Sequence, residues 1–323
     1  FSQAYIDNIE KMLEYIQSLM DISGNLPMIG DADDGYLFRL DWSPDYSPYQ
    51  SLLATGAIIF KRGDFKYSSK GLDDKTKLLL GSNVVEEFSY IASTPPSYDC
   101  KSYPEAGYYI FGDALGCSDE CKLVVDAGPL GLAGIAAHGH ADALSVWLSL
   151  KGFEFLIDPG TYAYHSQQRW RNYFRGTSAH NTVRVDYTDQ SEIGGNFMWL
   201  QKAQSSCHQF ITDINHSYLE VSHNGYQKLV DPVTHRRVIK VDKQNKTIIF
   251  EDTLECKETH NIEIFWHFHE ACVFTSIAAG FEVQHVKVKL QLLLDKQFSD
   301  VVRFNGDKAT PLGWVSRRFD YKS

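Results

Sequence analysis

The fold of this chain is decided by residues 137–162, AHGHADALSVWLSLKGFEFLIDPGTY. Two short apolar segments in this stretch, residues 144–150 and 153–157, are separated by Lys151 and Gly152. Two such segments around a two-residue turn that contains glycine are typical of a β-hairpin. The sequence therefore predicts two antiparallel strands, with a histidine pair just before the first and an aspartate just after the second.

Further strand-like segments lie on both sides of the hairpin. Each is short and carries β-branched and aromatic residues of the kind that strands favour. The predicted strands outside the hairpin are residues 108–111, 122–126, 182–185, 218–222, 235–241, 247–252, 262–268, 281–286 and 288–294. Many short strands in close succession indicate a large antiparallel β-sandwich.

The first part of the chain has a helical pattern instead. Apolar residues recur at three- and four-residue steps over residues 6–19, which predicts an amphipathic helix. Ser47 and Pro48 are typical of the start of a second helix. Residues 73–80 and 84–88 predict two more helices.

The change of pattern near residue 95 divides the chain into two predicted domains. Residues 1–95 form a helical segment and residues 96–323 form the antiparallel β-sandwich, so the predicted fold class is α+β. The helical segment is either a small bundle by itself or the tail of a larger helical domain. An acidic loop at residues 28–35 lacks the glutamate that closes an EF-hand and gives little support for calcium.

The composition is that of an acidic globular protein. Hydrophobic residues make up 43% and charged residues 22% of the chain, and the net charge of −10 disfavours nucleic acid as a partner. No apolar stretch reaches the ~18 residues of a membrane span. The six cysteines are scattered and indicate no disulfide framework, and the sequence does not define the oligomeric state. Four arginines near the hairpin can still attract an anion to a local cleft. They are Arg169, Arg171, Arg175 and Arg184.

Three histidines and one aspartate around the hairpin suggest a metal site. His138 and His140 are two residues apart, and on a strand their side chains would share a face. The hairpin brings Asp158 back toward them, although a regular register would place it opposite about Ser145. Irregular backbone around Gly139 or Pro159 has to close the gap. His180 precedes another predicted strand. Two histidines with a carboxylate are typical of Zn²⁺, and the alternative is that each is an ordinary polar strand residue.

Other reactive residues lie in the same region. Tyr162, Tyr164 and Tyr173 have arginines nearby, and a nearby cation favours the phenolate, a base that can remove a proton from carbon. Ser178 lacks the G-x-S-x-G turn of serine hydrolases, which argues against that chemistry. His267 and His269 repeat the two-residue spacing, but the aromatic residues around them indicate a sandwich face rather than a second metal site.

Residues 138–142, 158–162 and 170–183 together resemble the heparinase II/III-like polysaccharide lyases in residue type, order and spacing. The loop at residues 30–35 resembles a segment near the end of that family's helical domain. The resemblance implies an incomplete (α/α) toroid followed by an antiparallel β-sandwich, with the active site at their junction. It also implies β-elimination on a uronic-acid polysaccharide, of the heparin or heparan sulfate type or the alginate type, and a bacterial periplasmic or secreted location.

The resemblance also implies roles for individual residues. His138 takes the position of the catalytic histidine, and Tyr162 and Tyr173 take those of site tyrosines. One structural zinc ion per chain would be bound by His140, Asp158 and His180. The predicted substrate contacts are Trp170, Arg171, Arg175 and Asn181.

One departure from the family pattern concerns the helical part. Family members take their principal catalytic tyrosine, and the asparagine or histidine that neutralises the uronate, from helices before the acidic loop. Here only residues 1–29 precede that loop, so we expect most of the toroid to be absent and the chain to be a carboxy-terminal part with little activity by itself. The alternatives are a non-catalytic carbohydrate-binding or biosynthetic relative with a structural zinc, and a zinc hydrolase.

Overall fold

The computed structural model describes residues 1–32, 35, 37–132, 134–298 and 300–323. The fold is α+β, as the sequence predicts: short helices come first and antiparallel sheets follow. The helices are α1 (Gln3–Leu19), α2 (Pro48–Phe60), α3 (Gly63–Ser69), α4 (Asp74–Leu80), α5 (Val84–Tyr90) and α6 (Gln168–Arg175). Within the described residues, no helix has the length and apolar character that crossing a bilayer requires.

Side-chain caps explain where three of the helices begin. The side chains of Ser2, Ser47 and Asp73 accept hydrogen bonds from backbone N–H groups in the first turns of α1, α2 and α4. Such caps satisfy donors that have no partner within the helix. Pro48 occupies the first turn of α2, as predicted. The sequence does not predict α3 or α6, because both are short and neither has a side-chain cap.

The strands form several antiparallel sheets. The first sheet contains, in spatial order, β1 (Cys100–Tyr103), β2 (Tyr108–Asp113), β3 (Cys121–Asp126), β4 (Val146–Leu150) and β5 (Phe153–Leu156). The second contains β12 (Thr247–Glu255), β11 (Val233–Asp242), β10 (His216–Tyr226) and β9 (Ser205–Thr212). Smaller groups are β6 (Val183–Val185) with β13 (Ile262–Ile264), β7 (Glu192–Gly195) with β8 (Met198–Gln201), and β14 (Val273–Ile277), β15 (Gly280–His285) and β16 (Val288–Leu293).

The predicted hairpin is confirmed. Strands β4 and β5 pair antiparallel, with Leu150 opposite Phe153. Lys151 and Gly152 both have positive φ, 56° and 76°, as a tight two-residue hairpin turn requires. The prediction of one strand over residues 262–268 is only partly right, because β13 ends at residue 264. Strands β1, β7, β8, β9 and β14 are not predicted; β9, for example, is mostly exposed and lacks a buried apolar face.

The core lies between the two main sheets. The buried residues of both sheets meet in one cluster, to which β15 and β16 also contribute. Burial alternates along β11, so one face of this strand points into the cluster and the other points outward. Burying an aliphatic or aromatic side chain of this kind stabilises the fold by roughly 1.5–3 kcal/mol. Members of the cluster include Phe111, Val125, Leu148 and Phe155 of the first sheet and Leu219, Val221, Ile239 and Val241 of the second.

The end of α1 packs on the opposite face of the first sheet. Leu19 and Trp147 belong to a separate apolar cluster on this face. The buried Lys122 donates to the backbone carbonyls of Ser18, at 3.1 Å, and of Met20. Burial lowers the pKa of Lys122 to about 8. Helix α1 is thereby anchored to the sandwich, and it directs the chain toward the acidic loop.

A chain of buried polar groups crosses the second sheet. The N–H of Gly225 donates to Nδ1 of His223 at 3.1 Å, so the proton of that ring is on Nε2, which donates to Nδ1 of His235 at 3.0 Å. By the same reasoning, Nε2 of His235 donates to Asp252 at 2.7 Å. Arg237 donates twice to the same carboxylate. Burial lowers the pKa of both histidines, so both rings are neutral near pH 7.

Arg237 links this network to the region around the hairpin. Its guanidinium is fully buried and donates to the backbone carbonyls of Leu144, at 2.8 Å, and of Asn181, at 2.7 Å. Through Arg237, the second sheet therefore supports the backbone of the segment that contains His180.

We expect Arg237→Ala to lower the free energy of unfolding by about 3–5 kcal/mol, because it leaves the Asp252 carboxylate buried without its counter-charge. Arg236→Ala is the matched control: this neighbouring side chain is 41% exposed and pairs with Glu220, so its loss should cost less than about 1 kcal/mol. Urea unfolding followed by circular dichroism measures both variants. Equal losses would contradict a buried ion pair at Arg237.

Candidate active site

The histidine loop, residues 136–140, is not a regular strand. Ala136 and His138 have positive φ angles of 54° and 62°, so the chain turns sharply here. The prediction that His138 and His140 share one face of a strand is therefore wrong in its backbone geometry. The two imidazoles nevertheless approach the same group, the carboxylate of Asp31.

Asp31 comes from the acidic loop after α1, and its carboxylate is entirely buried. Its Oδ1 lies 3.1 Å from Nε2 of His140, and its Oδ2 lies 3.3 Å from Nδ1 of His138. Both terminal nitrogens of Arg171 donate to this carboxylate, one of them at 2.7 Å. One carboxylate thus connects the helical segment, the histidine loop and α6.

Backbone contacts hold Asp31 in this position. Its N–H donates to the carbonyl oxygen of His138 at 2.9 Å. Gly30 has a φ of 64°, and a Cβ at this residue would lie 2.6 Å from the same oxygen, so only glycine fits. The N–H of Ala32 donates to Oγ1 of Thr161 at 2.8 Å. The acidic loop is therefore tied to the segments on both sides of the hairpin.

The charges around Asp31 determine which ring nitrogens carry protons. Burial alone would raise the pKa of Asp31, but hydrogen bonds from His140 and Arg171 and the positive charge of Arg171 hold it below its usual range. An ionised carboxylate only accepts hydrogen bonds, so the ring nitrogens that face it carry protons. Nδ1 of His140 and Nε2 of His138 are then left with lone pairs.

His140, Asp158 and His180 form a compact group. One nitrogen or oxygen of each residue lies within 4.8 Å of the others. Nδ1 of His140 and Nε2 of His180 are buried and have no hydrogen-bond partner among the described residues. Nδ1 of His180 lies 2.9 Å from Oδ2 of Asp158. Two unpartnered buried nitrogens beside a carboxylate form a donor set that suits Zn²⁺.

Two features close the gap that a regular hairpin register would leave between Asp158 and the histidine loop. A bulge between Leu148 and Ser149 shifts the register of β4 against β5. Asp158 then lies beyond the end of β5, where the N–H of Gly160 donates to its Oδ1 at 2.9 Å. The positive φ angles of His138 and Gly160 show the irregular backbone expected around Gly139 or Pro159, whereas the bulge inside the hairpin was not expected.

Asn181 connects strands rather than facing a ligand. It is fully buried, and its side-chain amide donates to the backbone carbonyls of Val146, at 2.7 Å, and Ile157, at 2.9 Å. Its side-chain oxygen accepts from the N–H of His267. Because these protein partners occupy the amide, the predicted contact between Asn181 and substrate does not fit the structure. The residue instead aligns the hairpin beside His180.

The predicted arginine contacts are also buried. Arg171 donates to the carbonyl oxygen of Asn196 as well as to Asp31. Arg175 donates to the carbonyl oxygens of Gly195 and Asn196. Both arginines thus hold the tip of the β7–β8 hairpin. Neither guanidinium is exposed, so the prediction that they contact substrate does not fit this arrangement.

The predicted aromatic site residues pack together in an apolar cluster. Tyr162 is buried, and its hydroxyl accepts a hydrogen bond from Gln167 at 2.7 Å. The Tyr173 hydroxyl is buried without a partner among the described residues, and burial raises its pKa, which disfavours a phenolate there. Trp170 is half-buried beside them. Nζ of Lys322 lies 4.0 Å from the ring centre of Tyr162 and 4.5 Å from that of Trp170.

Two aromatic residues face His138: Tyr164, and Phe197, which the sequence does not indicate as a site residue. The ring centres of Phe197 and Tyr164 lie 5.3 Å and 6.3 Å from that of His138. The His138 side chain is 53% exposed, so it is the accessible member of the histidine group. Gly194 and Gly195 precede Phe197, and this pair is the turn signal from which a hairpin tip could have been predicted.

A cavity of about 390 Å³ lies beside the contact between Asp31 and His140. Asp126 and Asp142 also line it, and the hydroxyl of Tyr108 donates to Asp126 at 2.9 Å. Burial raises the pKa of Asp126 to about 6 and that of Asp142 well above its usual value. Two acidic side chains thus line the space next to the histidines, and burial shifts both toward their protonated forms.

The structure thus places an exposed histidine beside a buried His/Asp group, where a short helical segment meets an antiparallel sandwich. Residues 95–323 match the family described as heparinase II/III-like, C-terminal. The chain belongs to this family.

The similar proteins are longer than this chain. A heparin-sulfate lyase of Pedobacter heparinus is 23% identical over 276 residues, and one of Bacteroides stercoris is 24% identical over 236 residues. These alignments cover 84% and 72% of this chain but 34% and 30% of the relatives, so the chain spans about a third of their length.

Solved structures show the same fold. A heparan sulfate lyase from Pedobacter heparinus matches with a TM-score of 0.67 at 19% identity, and a heparinase III matches with a TM-score of 0.68 at 18% identity. Each match covers 100% of this chain and 43% of the other chain.

We expect Asp31→Asn to lower the free energy of unfolding by about 3–5 kcal/mol, because the Arg171 guanidinium would stay buried without a counter-charge. Asp45→Asn is the control, since Asp45 is an exposed aspartate in the same connection between α1 and α2, and its change should stay within about 0.5 kcal/mol. Chemical denaturation measures both. A loss no larger for Asp31→Asn than for the control would show that the carboxylate does not organise the site.

Proposed function

We propose that this chain forms the sandwich side of a polysaccharide lyase that cleaves a uronic-acid-containing glycan, of the heparin or heparan sulfate type, by β-elimination. The observation that carries the proposal is the exposed imidazole of His138, which faces the buried carboxylate of Asp31 where the helical segment meets the sandwich. The curated relatives, both named heparin-sulfate lyases, support an acidic glycan as the substrate.

His138 has the properties that a proton-transfer group needs. β-Elimination removes the proton on C5 of a uronate and protonates the departing O4. Nδ1 of His138 lies 3.3 Å from the ionised Asp31, which favours the proton on that nitrogen and leaves Nε2 as the basic atom on the exposed side. A positioned imidazole can accept and return a proton near neutral pH. Phe197 beside the ring offers an apolar surface against which a sugar can pack.

The reaction also needs a group that neutralises the uronate carboxylate, because the C5 proton becomes acidic only when the developing negative charge is stabilised. Arg171 and Arg175 are buried against protein groups and do not fit this task. We therefore assign it to groups that longer family members supply, since this chain covers 34% of the Pedobacter relative. The chain by itself is accordingly expected to have little activity.

In the full-length gene product, His138→Ala is expected to lower kcat on heparan sulfate by roughly 10²–10⁴-fold, the usual contribution of a general acid or base. The ultraviolet absorbance of the C4–C5 unsaturated uronate reports the product. His216→Ala is the control, because this side chain is also exposed (62%) but lies at the start of β10. It should leave kcat unchanged.

Hyaluronan, alginate and pectate are assayed in parallel with heparan sulfate. Cleavage of alginate alone would show that the substrate is not of the heparan sulfate type, while the proposed β-elimination would still stand. Glycan binding without an unsaturated product from any of the four polymers would contradict the lyase proposal. It would favour a non-catalytic carbohydrate-binding or biosynthetic relative, in which His138→Ala leaves binding intact.

We also propose one structural zinc ion, held by His140, Asp158 and His180. The two unpartnered buried nitrogens support it. So does the contact of Asp31 with Nε2 of His140, since a carboxylate commonly orients the far side of a metal-binding imidazole. A bound zinc would join the histidine loop, the end of the hairpin and the segment before β6, while proton transfer stays with His138.

His180→Ala is expected to lower the zinc content by one ion per chain and to lower the temperature of thermal unfolding. Elemental analysis of the purified protein measures the first and calorimetry the second. His216→Ala should keep the wild-type content. Equal zinc contents in wild type and His180→Ala would contradict the proposal that a zinc ion binds at this site.

A periplasmic or secreted location fits a protein that acts on an extracellular polysaccharide, and the heparin-sulfate lyases it resembles come from bacteria. Fractionation of cells that express the full-length gene tests this part of the proposal. Recovery in the cytoplasmic fraction alone would contradict it.

A further inference from the structure

A second group of metal-binding residue types lies outside the histidine loop. We infer that Asp231, Cys256 and His260 form a further site for a thiophilic divalent cation such as Zn²⁺. One oxygen, sulfur or nitrogen of each residue lies within 4.8 Å of the other two. The inference does not depend on the proposed lyase activity or on the zinc ion at His140, Asp158 and His180.

The three residues come from separate turns. Asp231 lies between β10 and β11, Cys256 directly follows β12, and His260 lies in the segment before β13. With bonds of about 2.0–2.3 Å, two ligands of a tetrahedral zinc ion lie roughly 3.3–3.8 Å apart. Atoms that already lie within 4.8 Å of one another reach such positions by small side-chain rotations.

His260 lies between two carboxylates, and its Nε2 points toward Asp231. Nδ1 of the ring lies 2.7 Å from Oδ2 of Asp186, and because a carboxylate only accepts, Nδ1 carries a proton. Nε2 lies 3.0 Å from Oδ2 of Asp231. A bare lone pair facing a carboxylate is repulsive, so either a second proton or a metal ion lies between them. A carboxylate on the far nitrogen is also the arrangement that orients metal-binding histidines.

Asp231 and Cys256 complete the donor set. Three contacts to Asp231 all involve Oδ2: hydrogen bonds from the N–H groups of Lys257, at 2.9 Å, and Glu258, at 2.7 Å, and the contact with Nε2 of His260 at 3.0 Å. The hydrogen bonds of the described residues thus leave Oδ1 available to an ion. The thiol of Cys256 is free and exposed, so an ion can enter from solvent. Sulfur and nitrogen donors select zinc-like ions over Mg²⁺ or Ca²⁺.

A bound ion would join two parts of the sandwich. Asp186 directly follows β6, and its backbone N–H and side chain bond the backbone of Asn261, next to His260. Asp231 belongs to the turn between the two central strands of the second sheet. The ion would therefore connect the β6–β13 pair to the second sheet.

Cobalt titration tests the site directly. Chain freed of metal on a chelating resin and kept reduced is titrated with Co²⁺, and the near-ultraviolet absorption is recorded. The wild type should show a thiolate-to-cobalt charge-transfer band that saturates at one ion per chain. The His140, Asp158 and His180 group contains no sulfur, so it cannot produce this band. Cys256→Ser should abolish the band, whereas Cys117→Ser, at another exposed free cysteine, should keep it.

Zinc content after equilibrium dialysis provides the second readout. Wild type should hold one zinc ion more than Cys256→Ser, and this difference stays at one whether or not the other histidine site is filled. Circular dichroism checks that the variant keeps its fold, as expected for an exposed side chain. Absence of the band in the wild type, its survival in Cys256→Ser, or equal zinc contents would each overturn the inference.

Discussion

The buried ion pair between Asp31 and Arg171 is the interaction on which the candidate site depends. Removing two charges from water costs several kcal/mol per ion, so a buried pair of this kind adds little net stability. The pair instead determines where the two side chains lie. Asp31 arrives from the helical segment and Arg171 from α6, and their pairing brings one carboxylate to both His138 and His140. The helical segment therefore contributes to the site although it is short.

The site is supported from the opposite side by buried polar groups of the sandwich. Arg237 binds the backbone next to His180, and Asn181 joins the hairpin to the same segment. These groups are fully buried, and their side chains bond to the backbone and, for Arg237, also to the carboxylate of Asp252. His138 therefore stays accessible. The buried groups around it hold the irregular loops, which lie outside the hydrogen-bonded strands of the sheets.

The parts of the fold that depend on local signals could be predicted from the sequence. The hairpin turn at Lys151 and Gly152 and the cap at Ser47 are encoded in neighbouring residues. The contacts of Asp31 could not be predicted in this way. Its partners His140 and Arg171 lie 109 and 140 residues away in the sequence, and no local pattern indicates such contacts. The sequence predicted that His138 and His140 address one site because they share a face of a strand. In the structure both approach Asp31, but from a turn and not from a strand. Residue type also could not show that the arginines and Asn181 are buried, since burial depends on the β7–β8 hairpin and the second sheet.

A double-mutant cycle on Asp31→Asn and Arg171→Met tests most directly whether this ion pair organises the site. The free energies of unfolding of the wild type, both single variants and the double variant are measured by urea denaturation. If the carboxylate and guanidinium hold each other in place, the double variant loses less stability than the sum of the single losses, by at least about 1 kcal/mol. Losses that add within about 0.3–0.5 kcal/mol would show that the two residues act independently and would contradict the central role of the pair.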